Sequence, residues 1–282
     1  MDERFSKRID RAAGVEDIAG ALERLAPTDL QSLLLEVFRR RTRGLTPKAV
    51  LEQYERNRFV TPAVVDPQQL LEFDRRAFSL LPDRYEPVEL APVAPLGASA
   101  VLGGLSQDWA IATARNTEVV SDSTNVLALE AALRRRRDRS EQVRLAASHR
   151  LLRGQDYAGA GEQHFRLLGL VAAGRGADFE VVSAVEQLKF YASLIRDLRI
   201  ALTPLTSDLA ERIKDQLDGR VELDLTRQSG REYYVGLCFK LYVGDAEVGD
   251  GGFTTWTQSL LGDRKERLLI SGLSAERALK HA

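Results

Sequence analysis

The sequence predicts an α+β protein, in which an antiparallel sheet is flanked by helices and follows an N-terminal helical module. Up to residue 65, apolar residues recur at helical spacing and β-rich runs are missing. From residue 66 to residue 282, strand-like runs and helices are mixed, and hairpins outnumber β-helix-β crossovers. We therefore expect two domains, residues 1–65 and residues 66–282.

The N-terminal module contains residues typical of helix starts. In "PTDLQSLLLEVFRRR" we expect Asp29 to be the N-cap, and Leu33, Leu34, Val37 and Phe38 to face inward. In "TPKAVLEQYERNRF", Thr46 is expected to cap a helix that has Pro47 at its first position. The stretch "VTPAVVDP" that follows is typical of a linker because it contains two prolines.

Prolines also mark the elements that come next. "PQQLLEFDRRAFSLLP" predicts an amphipathic helix ending before Pro82, and "YEPVELAPVAPLG" predicts extended chain. Strand-like runs follow in "DWAIATARNTEVVSD". The helix in "STNVLALEAALRRRRDR" is expected to be capped by Ser123 or Thr124.

The stretch from Ala147 to Leu170 predicts a β-hairpin with a long glycine-containing tip. Its arms carry Arg150, Arg153 and Arg166, although charged side chains rarely enter a core without a partner. We infer that these arginines meet an anion. A helix is then predicted in "FEVVSAVEQLKFYASLIRDL", strands in "RVELDLT", "REYYVGLCFKLYV" and "RLLISG", and a helix start in "LSAERALKHA".

Composition excludes several classes of protein. Hydrophobic residues at 44%, charged residues at 29% and a net charge of −1 describe a globular protein without an overall field for nucleic acid or an anionic membrane. The single Cys238 excludes an internal disulfide, and three scattered histidines make a poor metal site. The charged N-terminus is followed by no apolar signal segment, and no apolar run is long enough for a bilayer. We expect a cytoplasmic protein with no membrane partner.

The basic run "RRRRDR", Arg134–Arg139, has two interpretations. Four consecutive arginines cover all sides of a helix, so they favour a solvated helix end near the negative pole of the helix dipole. The alternative is weak contact with tRNA.

Three short motifs occur in a fixed order from Pro67 onward. They are a helix and strand ending at Pro92 or Pro95, the hairpin around Arg150, and the glycine-containing "ISGLSAERAL". In this order they resemble the catalytic domain of class II aminoacyl-tRNA synthetases, nearest the histidyl type and the regulatory subunit of ATP phosphoribosyltransferase. The resemblance implies a homodimer built on the first motif. A helix–strand unit with an edge proline is the alternative explanation of that motif.

The second motif implies an ATP site on the hairpin. "HRLLRGQ" has the family's arginine spacing, so Arg150 resembles the motif arginine and Arg153 the loop arginine, while His164 and Phe165 begin the return strand beside the nucleotide. Attack of a carboxylate on the α-phosphorus of ATP builds charge that a planar guanidinium can hold. Leu152 stands where the family has an acid. The alternative is a hairpin with solvated arginines.

The third motif implies a second phosphate arginine. Gly272 is expected at the strand-to-helix turn, Ser274 replaces a usual glycine, and Arg277 matches the arginine that stacks on adenine and meets the γ-phosphate. Magnesium would bridge the phosphates, and the sequence assigns no ligand to it. The alternative explanation of this motif is a helix start with an ion-pairing arginine.

Two more segments resemble amino-acid recognition elements. "VSDSTNVLALEAA" gives Asp122 and Thr124 the place of the acid and hydroxyl that bind the substrate ammonium, with Val120 replacing an arginine. Asp–Ser–Thr before a helix is also an ordinary N-cap signature.

The double tyrosine in "RQSGREYYVGLCF" resembles the strand that lines the side-chain pocket, so Tyr233 or Tyr234 is expected there. The catalytic arginine of the group would fall at Ser229, and Arg231 or Arg227 could substitute. Alternatively, one tyrosine lies in the core and the other on the surface.

Three functions remain open at this stage. The first is an ATP-dependent enzyme that forms an aminoacyl-adenylate and passes the acyl group to an acceptor other than a conventionally read tRNA. The second is a non-catalytic amino-acid sensor or regulatory subunit. The third is a protein that handles the tRNA acceptor end. Because the sequence stops five residues after Arg277, we expect no anticodon-binding domain.

Overall fold

The chain begins with helices, as its periodicity predicts. The computed structural model describes residues 3–155, 163–206, 208–228 and 230–281. Its first helices are α1 (Glu3–Ala13), α2 (Ile18–Glu23), α3 (Pro27–Thr42) and α4 (Pro47–Arg56). The predicted cap of α4 is confirmed, since the Thr46 hydroxyl accepts a hydrogen bond of 3.2 Å from the Ala49 amide.

Two expectations for α3 are wrong. The helix begins at Pro27 with Ala26 as its N-cap, so Asp29 lies inside the first turn, where its charge favours the helix dipole. Leu33, Val37 and Phe38 are exposed rather than inward-facing, with Phe38 52% accessible. No residue of the described stretch 3–61 is buried, because these short helices have no layer to pack against within it.

Two compact units divide the chain. One comprises Met1–Thr61 and Ala112–Thr117, and the other comprises Pro62–Ile111 and Glu118–Ala282. The boundary after residue 65 remains a prediction of the sequence.

An eight-stranded, mostly antiparallel sheet is the framework of the second unit. Its strands run in the order β1-β4-β5-β10-β9-β8-β6-β7, and the pairs β1/β4 and β6/β7 at its edges are parallel. The strands are β1 (Glu86–Pro87), β4 (Val143–Leu152), β5 (His164–Gly174), β6 (Arg199–Pro204), β7 (Arg220–Leu223), β8 (Tyr234–Val243), β9 (Ala246–Thr254) and β10 (Arg267–Ser274). A separate two-stranded sheet pairs β2 (Val93–Pro95) with β3 (Thr117–Val119).

Helices cover both faces of this sheet. They are α5 (Pro67–Leu80), α6 (Ala98–Gly103), α7 (Ser123–Arg137), α8 (Phe179–Leu194), α9 (Leu209–Lys214), α10 (Trp256–Leu261) and α11 (Ala275–His281). On β5, Leu168 and Leu170 pack into the cluster shared with α8, whereas Val171 and Ala173 pack into the cluster shared with α7. Burial on both faces explains why "LLGLVAA" is apolar without alternation. The sole cysteine, Cys238 on β8, is fully buried in the cluster on the α7 side. Among the described helices, none has the length and apolar character needed to cross a membrane.

The predicted hairpin is confirmed as β4 and β5. Arg150 lies directly across from Arg166, and the ladder continues to Val143 opposite Ala173. The loop glycines, Gly159 and Gly161, fall outside the described residues.

Strand β9 was not predicted, because its glycines hide a β pattern. A side chain at Gly249 would stand 2.4 Å from the Gly272 carbonyl oxygen, and one at Gly251 would stand 2.5 Å from the Phe239 ring. The close approach of β8, β9 and β10 therefore requires glycine at these positions.

The basic end of α7 differs from the prediction of a solvated terminus. Arg135 is 1% exposed, and its guanidinium binds the buried Glu266 carboxylate at 2.9 and 3.1 Å. Arg134 pairs with Glu130 at 2.7 Å, so among the four arginines Arg136 and Arg137 are the exposed ones. The sequence did not reveal that Arg135 faces the core.

Candidate functional site

An acidic cavity of about 260 Å³ opens beside the N-terminus of α7 and the beginnings of β8 and β9. We define the acidic cavity by its three carboxylates, Asp122, Glu247 and Asp250. Arg153 is the one arginine among its described lining residues, and Tyr233 forms part of the wall. The polar character of this wall suits a small charged ligand.

Asp122 is the N-cap of α7, so the predicted cap at Ser123 or Thr124 is wrong by one or two positions. Its Oδ1 accepts hydrogen bonds from the Thr124 amide at 2.9 Å and the Thr124 hydroxyl at 2.8 Å. The hydroxyl of Thr124 is thus engaged by Asp122, and its side chain is buried. Oδ2 of Asp122 is the oxygen turned toward Arg153, at 3.5 Å.

Arg153, predicted as the loop arginine, joins three parts of the site. Its Nε donates to the Ser121 carbonyl oxygen at 2.9 Å, and its guanidinium lies 5.1 Å from the centroid of Phe165. The next residue, Gly154, donates its amide to the Trp109 carbonyl oxygen at 2.7 Å, and a side chain there would approach that oxygen to 3.0 Å. A side chain at position 154 would therefore crowd the Trp109 backbone next to Arg153. Arg153 covers one face of Phe165, the residue expected beside the nucleotide.

The two tyrosines form one hydrogen-bonded chain. Tyr233 precedes β8 and Tyr234 begins it, so their rings pack 4.4 Å apart instead of pointing to opposite faces. The Tyr233 hydroxyl donates to the Tyr234 hydroxyl at 3.2 Å, which donates to Oδ2 of Asp250 at 3.2 Å. Desolvation raises the pKa of both phenols above the ordinary value, so both remain protonated donors at neutral pH.

Asp250 is one of the site residues that the sequence analysis did not identify. It lies within β9, across from Gly272 on β10 and Lys240 on β8. Desolvation raises its pKa to about 6, while Arg227, 3.8 Å away, acts in the opposite direction. Its side chain is 41% accessible and forms part of the wall of the acidic cavity. An acid between two glycines was the available signal.

The two candidate substitutes for the group's catalytic arginine have different positions. Arg227 is 6% exposed, donates to the Phe239 carbonyl oxygen at 3.3 Å and lies near Asp250. Arg231 is exposed and donates to the Arg227 carbonyl oxygen at 2.9 Å. Ser229, the position that strict spacing selects, lies outside the described residues. Of these two arginines, Arg227 is the one that lies next to a carboxylate of the acidic cavity, Asp250.

The proposed phosphate arginine of the hairpin is engaged on two sides. Nη2 of Arg150 contacts Oε1 of Glu276 at 3.0 Å, and Nη1 lies 2.9 Å from Nδ1 of His164. Both carboxylate oxygens of Glu276 also accept from the Arg166 amide, Oε1 at 3.0 Å and Oε2 at 2.8 Å. An anion at Arg150 would therefore have to compete with a carboxylate.

Arg277 follows Glu276 at the beginning of α11, and Arg150 reaches Glu276 from β4. Arg277 is exposed, its amide donates to the Ser274 hydroxyl at 3.4 Å, and its Nη1 donates to the Glu247 carbonyl oxygen at 3.4 Å. Gly272 was predicted to lie at the strand-to-helix turn, and this prediction is wrong. It is two residues inside the end of β10, and a side chain there would stand 3.0 Å from Leu167.

No group of three His, Cys, Asp or Glu side chains among the described residues is arranged to hold a metal ion. Within the acidic cavity each carboxylate already has a protein partner. Asp122 binds Thr124, Asp250 binds Tyr234, and Glu247 binds Lys240 at 2.6 Å. We therefore assign no magnesium ligand and derive no step through a protein-bound metal.

The chain has the fold of a class II aminoacyl-tRNA synthetase domain. This is established by solved structures. A Bacillus halodurans protein described as an ATP phosphoribosyltransferase regulatory subunit/histidyl-tRNA synthetase superposes with a TM-score of 0.62 at 12% identity, over 79% of this chain and 82% of its own. A histidine–tRNA ligase subunit from Alicyclobacillus acidocaldarius gives 0.62 at 14% identity, over 79% and 96%. Apo histidyl-tRNA synthetase from S. aureus gives 0.59 at 16%, over 78% and 68%.

No protein-family profile matches the sequence, and no curated protein matches it either. The similarity to synthetase and regulatory subunit alike confirms the resemblance of fold that the three motifs predicted. At these identities the fold is shared by catalytic and regulatory proteins, so function must be argued from the site.

Proposed function

We propose that this protein binds an amino acid in the acidic cavity, with the ligand ammonium group on Asp122. The observation that carries the proposal is Asp122 in the cavity wall, whose Oδ2 makes a long contact of 3.5 Å with Arg153. Lys240 holds the neighbouring Glu247 at 2.6 Å, and Asp250 lies 3.8 Å from Arg227. An ammonium group is therefore attracted to Asp122 more than to the other two carboxylates. Arg153, 3.5 Å from Asp122, could receive the carboxylate of the same ligand.

The size of the acidic cavity supports a ligand of this class. At about 260 Å³ it lies below the roughly 300–1,000 Å³ typical of pockets for drug-sized molecules. Tyr233 and Trp109 give apolar surface for a side chain next to the charged groups. This is the sensor-like alternative among the functions that the sequence left open.

Isothermal titration with each of the twenty amino acids tests the proposal. We expect at least one of them to bind, and Asp122→Asn to weaken that binding by about tenfold because a charge-assisted hydrogen bond to the ammonium is lost. Asp138→Asn is the matched control, since Asp138 is an exposed acid at the other end of α7. Binding that is insensitive to Asp122→Asn, or no binding of any amino acid, would contradict the proposal.

Amino-acid activation is the second candidate, favoured by the contact of Arg150 with Glu276, the residue before Arg277. In this reaction a carboxylate oxygen of the amino acid attacks the α-phosphorus of ATP, the bond to the bridging oxygen breaks, and pyrophosphate leaves with its magnesium. Arg150 would hold the α-phosphoryl oxygen and Arg277 the γ-phosphate. For this to occur, the Glu276 carboxylate must release Arg150.

Amino-acid-dependent exchange of pyrophosphate into ATP separates the two candidates. Exchange that is lost in Arg150→Gln supports activation. Tight amino-acid binding without ATP binding or exchange supports the sensor. Leu152, which replaces the acid of the second motif, and the Arg153 guanidinium on Phe165 both count against strong adenine binding.

Two partners remain proposals. Homodimerisation through the first motif is supported by the apolar surface of α5, on which Leu71 and Phe78 are exposed, and light scattering of the purified protein tests it. Binding of tRNA is left with little support, because only two of the four consecutive arginines, Arg136 and Arg137, are exposed. Filter retention of tRNA at increasing salt tests it.

A further inference from the structure

A second cavity, of about 410 Å³, has the opposite charge. We call it the basic cavity and define it by the side chains of Arg175, Arg264, Lys265 and Arg267. Glu180 is the one acidic residue among its described lining residues. The four cations against one carboxylate leave an excess of three positive charges on the wall.

The basic cavity is distinct from the acidic cavity. It lies where β5 ends and β10 begins, since Arg267 pairs with Gly174. The acidic cavity lies near the other end of the same strands, where Ser274 pairs with Leu167. Seven residue steps along β10, at about 3.3 Å each, separate the two ends by about 23 Å. No ligand of an amino-acid site would reach both.

Arg175 is held in a fixed orientation from behind. Its Nε donates to Oε1 of the buried Glu266 at 2.7 Å, and its Nη2 pairs with Asp263. Glu266 is itself fixed by the buried Arg135. The remaining nitrogen of Arg175, Nη1, has no partner among the described residues. This arrangement orders the guanidinium before any ligand arrives, which lowers the entropic cost of binding.

The other three cations differ in how strongly they are engaged. Nε of Arg267 lies 3.4 Å from Glu180, and Nη1 of Arg267 donates to the carbonyl oxygens of Arg264 and Glu266 at 2.9 and 3.0 Å. Thus the one acid on the wall is already paired. The side chains of Arg264 and Lys265 are exposed and make no ion pair or hydrogen bond with the part of the chain that the structure describes.

We propose that the basic cavity binds a phosphorylated small molecule. Two or more negative charges on one phosphate group match the uncompensated charge of the wall, and a guanidinium holds two phosphate oxygens side by side. A volume of about 410 Å³ falls within the roughly 300–1,000 Å³ of small-ligand pockets. A concave site of this kind suits a compact ligand better than the backbone of a nucleic acid, which requires an extended basic stripe.

Calorimetric titration with inorganic phosphate, pyrophosphate and glycerol phosphate tests this assignment. The key variant is Arg264→Gln/Lys265→Gln, which removes two exposed charges and no observed contact of their side chains. Its control is Arg196→Gln/Lys214→Gln, which removes two exposed charges elsewhere in the same unit. Arg150→Gln serves as a second control, because phosphate could also bind at the proposed ATP site.

We expect at least one probe to bind with one-to-one stoichiometry. The Arg264/Lys265 double variant should raise its Kd by about tenfold or more, since charged hydrogen bonds are lost, while both controls keep the wild-type Kd. The Kd should also rise with salt. Near-ultraviolet circular dichroism establishes that the variants are folded, and Lys265→Gln alone should give an intermediate Kd.

Several results would overturn the assignment. One is the absence of binding for all three probes, and another is an equal loss of affinity in the Arg196/Lys214 control. Loss of all binding in Arg150→Gln would show that phosphate binds at the proposed ATP site, at the other end of the sheet. An RNA oligonucleotide that binds the cavity while none of the small phosphates competes with it would show that the ligand is a nucleic acid.

Discussion

The guanidinium of Arg135 and the carboxylate of Glu266 form a two-pronged ion pair inside the protein, with donor–acceptor distances of 2.9 and 3.1 Å. Arg135 is 1% exposed and Glu266 is fully buried. The pair links the last turn of α7 to the residue before β10. Because Glu266 also binds Arg175, one carboxylate compensates two cations.

We expect Glu266→Gln to lower the free energy of unfolding by about 3–5 kcal/mol, because it leaves the buried charge of Arg135 uncompensated. Urea denaturation measures the change. Glu72→Gln, which breaks the exposed pair with Arg75, is the control and should leave the stability nearly unchanged. Equal effects of the two substitutions would contradict the importance of burial.

Asp250 should make stability fall as the pH rises. Its pKa of about 6 in the folded protein exceeds the roughly 3.9 of an unfolded chain, so the folded state binds the proton more tightly. Its contribution to stability is therefore greatest below pH 4, declines between about pH 4 and 6, and stays low above that. The free energy of unfolding of Asp250→Asn, relative to that of wild type, should therefore increase from pH 4.5 to pH 7.5.

Asp224→Asn provides the opposite control for this measurement. The Thr226 hydroxyl, which donates to Asp224 at 2.7 Å, lowers the pKa of that carboxyl, so its stabilising effect is lost only as the pH falls through the folded-state pKa. We expect Asp224→Asn to be destabilised to a similar extent at both pH values. A difference between Asp250→Asn and wild type that does not change with pH would exclude the raised pKa.

A methyl group at Gly251 should damage the sheet. In Gly251→Ala the added carbon would stand 2.5 Å from the Phe239 ring and 2.6 Å from the Ile270 carbonyl oxygen, and the backbone oxygen has no room to move. We expect a loss of about 1–3 kcal/mol in thermal or urea unfolding. Gly44→Ala, where no atom lies within 4 Å, should be nearly neutral. Similar unfolding of the two variants would contradict the close packing of β8, β9 and β10.

Neutralising Glu276 should reveal whether Arg150 is available to phosphate. Glu276→Gln removes the charge that engages Arg150 at 3.0 Å and leaves an oxygen to accept from the Arg166 amide. If Arg150 contacts ATP, we expect the variant to bind ATP several-fold more tightly than wild type, because less competition remains. Fluorescence titration with a labelled ATP measures this, and Glu211→Gln, an exposed acid on α9, is the control. Unchanged ATP affinity in Glu276→Gln would remove Arg150 from the nucleotide site.

The N-terminal helices should exchange their amide hydrogens quickly. No residue of the described stretch 3–61 is buried, whereas β5 is buried on both faces. Local opening of α1–α4 therefore exposes little additional apolar surface. Hydrogen exchange followed by mass spectrometry should show protection of Leu168–Ala173 that outlasts that of α3 by orders of magnitude. Equal protection would indicate that the helices are packed against a further surface.

Much of the fold could be predicted from the sequence, because its signals are local. Thr46 and Pro47 fix the start of α4, and the apolar run from Leu167 to Ala173 predicts a strand by its residues alone. Strand β9 was not predicted, because its glycines are required by neighbours distant in the chain, such as Phe239. A local pattern carries no information about such contacts.

Only part of the candidate site could be predicted, again because a local pattern carries no information about distant contacts. Asp122 and Tyr233 were found through motifs, and both line the acidic cavity. Asp250 and Glu276 were missed, since the importance of each depends on a partner far along the chain, Tyr234 for one and Arg150 for the other. The pairing of Arg135 with Glu266, 131 positions away, was hidden from the sequence in the same manner.

The burial of Cys238 supplies a built-in reporter for these experiments. Desolvation raises the pKa of its thiol, so the reactive thiolate is scarce in the native state, and the side chain is shielded from reagents. As the one cysteine of the chain, it should be alkylated only when the sheet opens. The rate of its modification by iodoacetamide would then follow the opening of β8 without any engineered label.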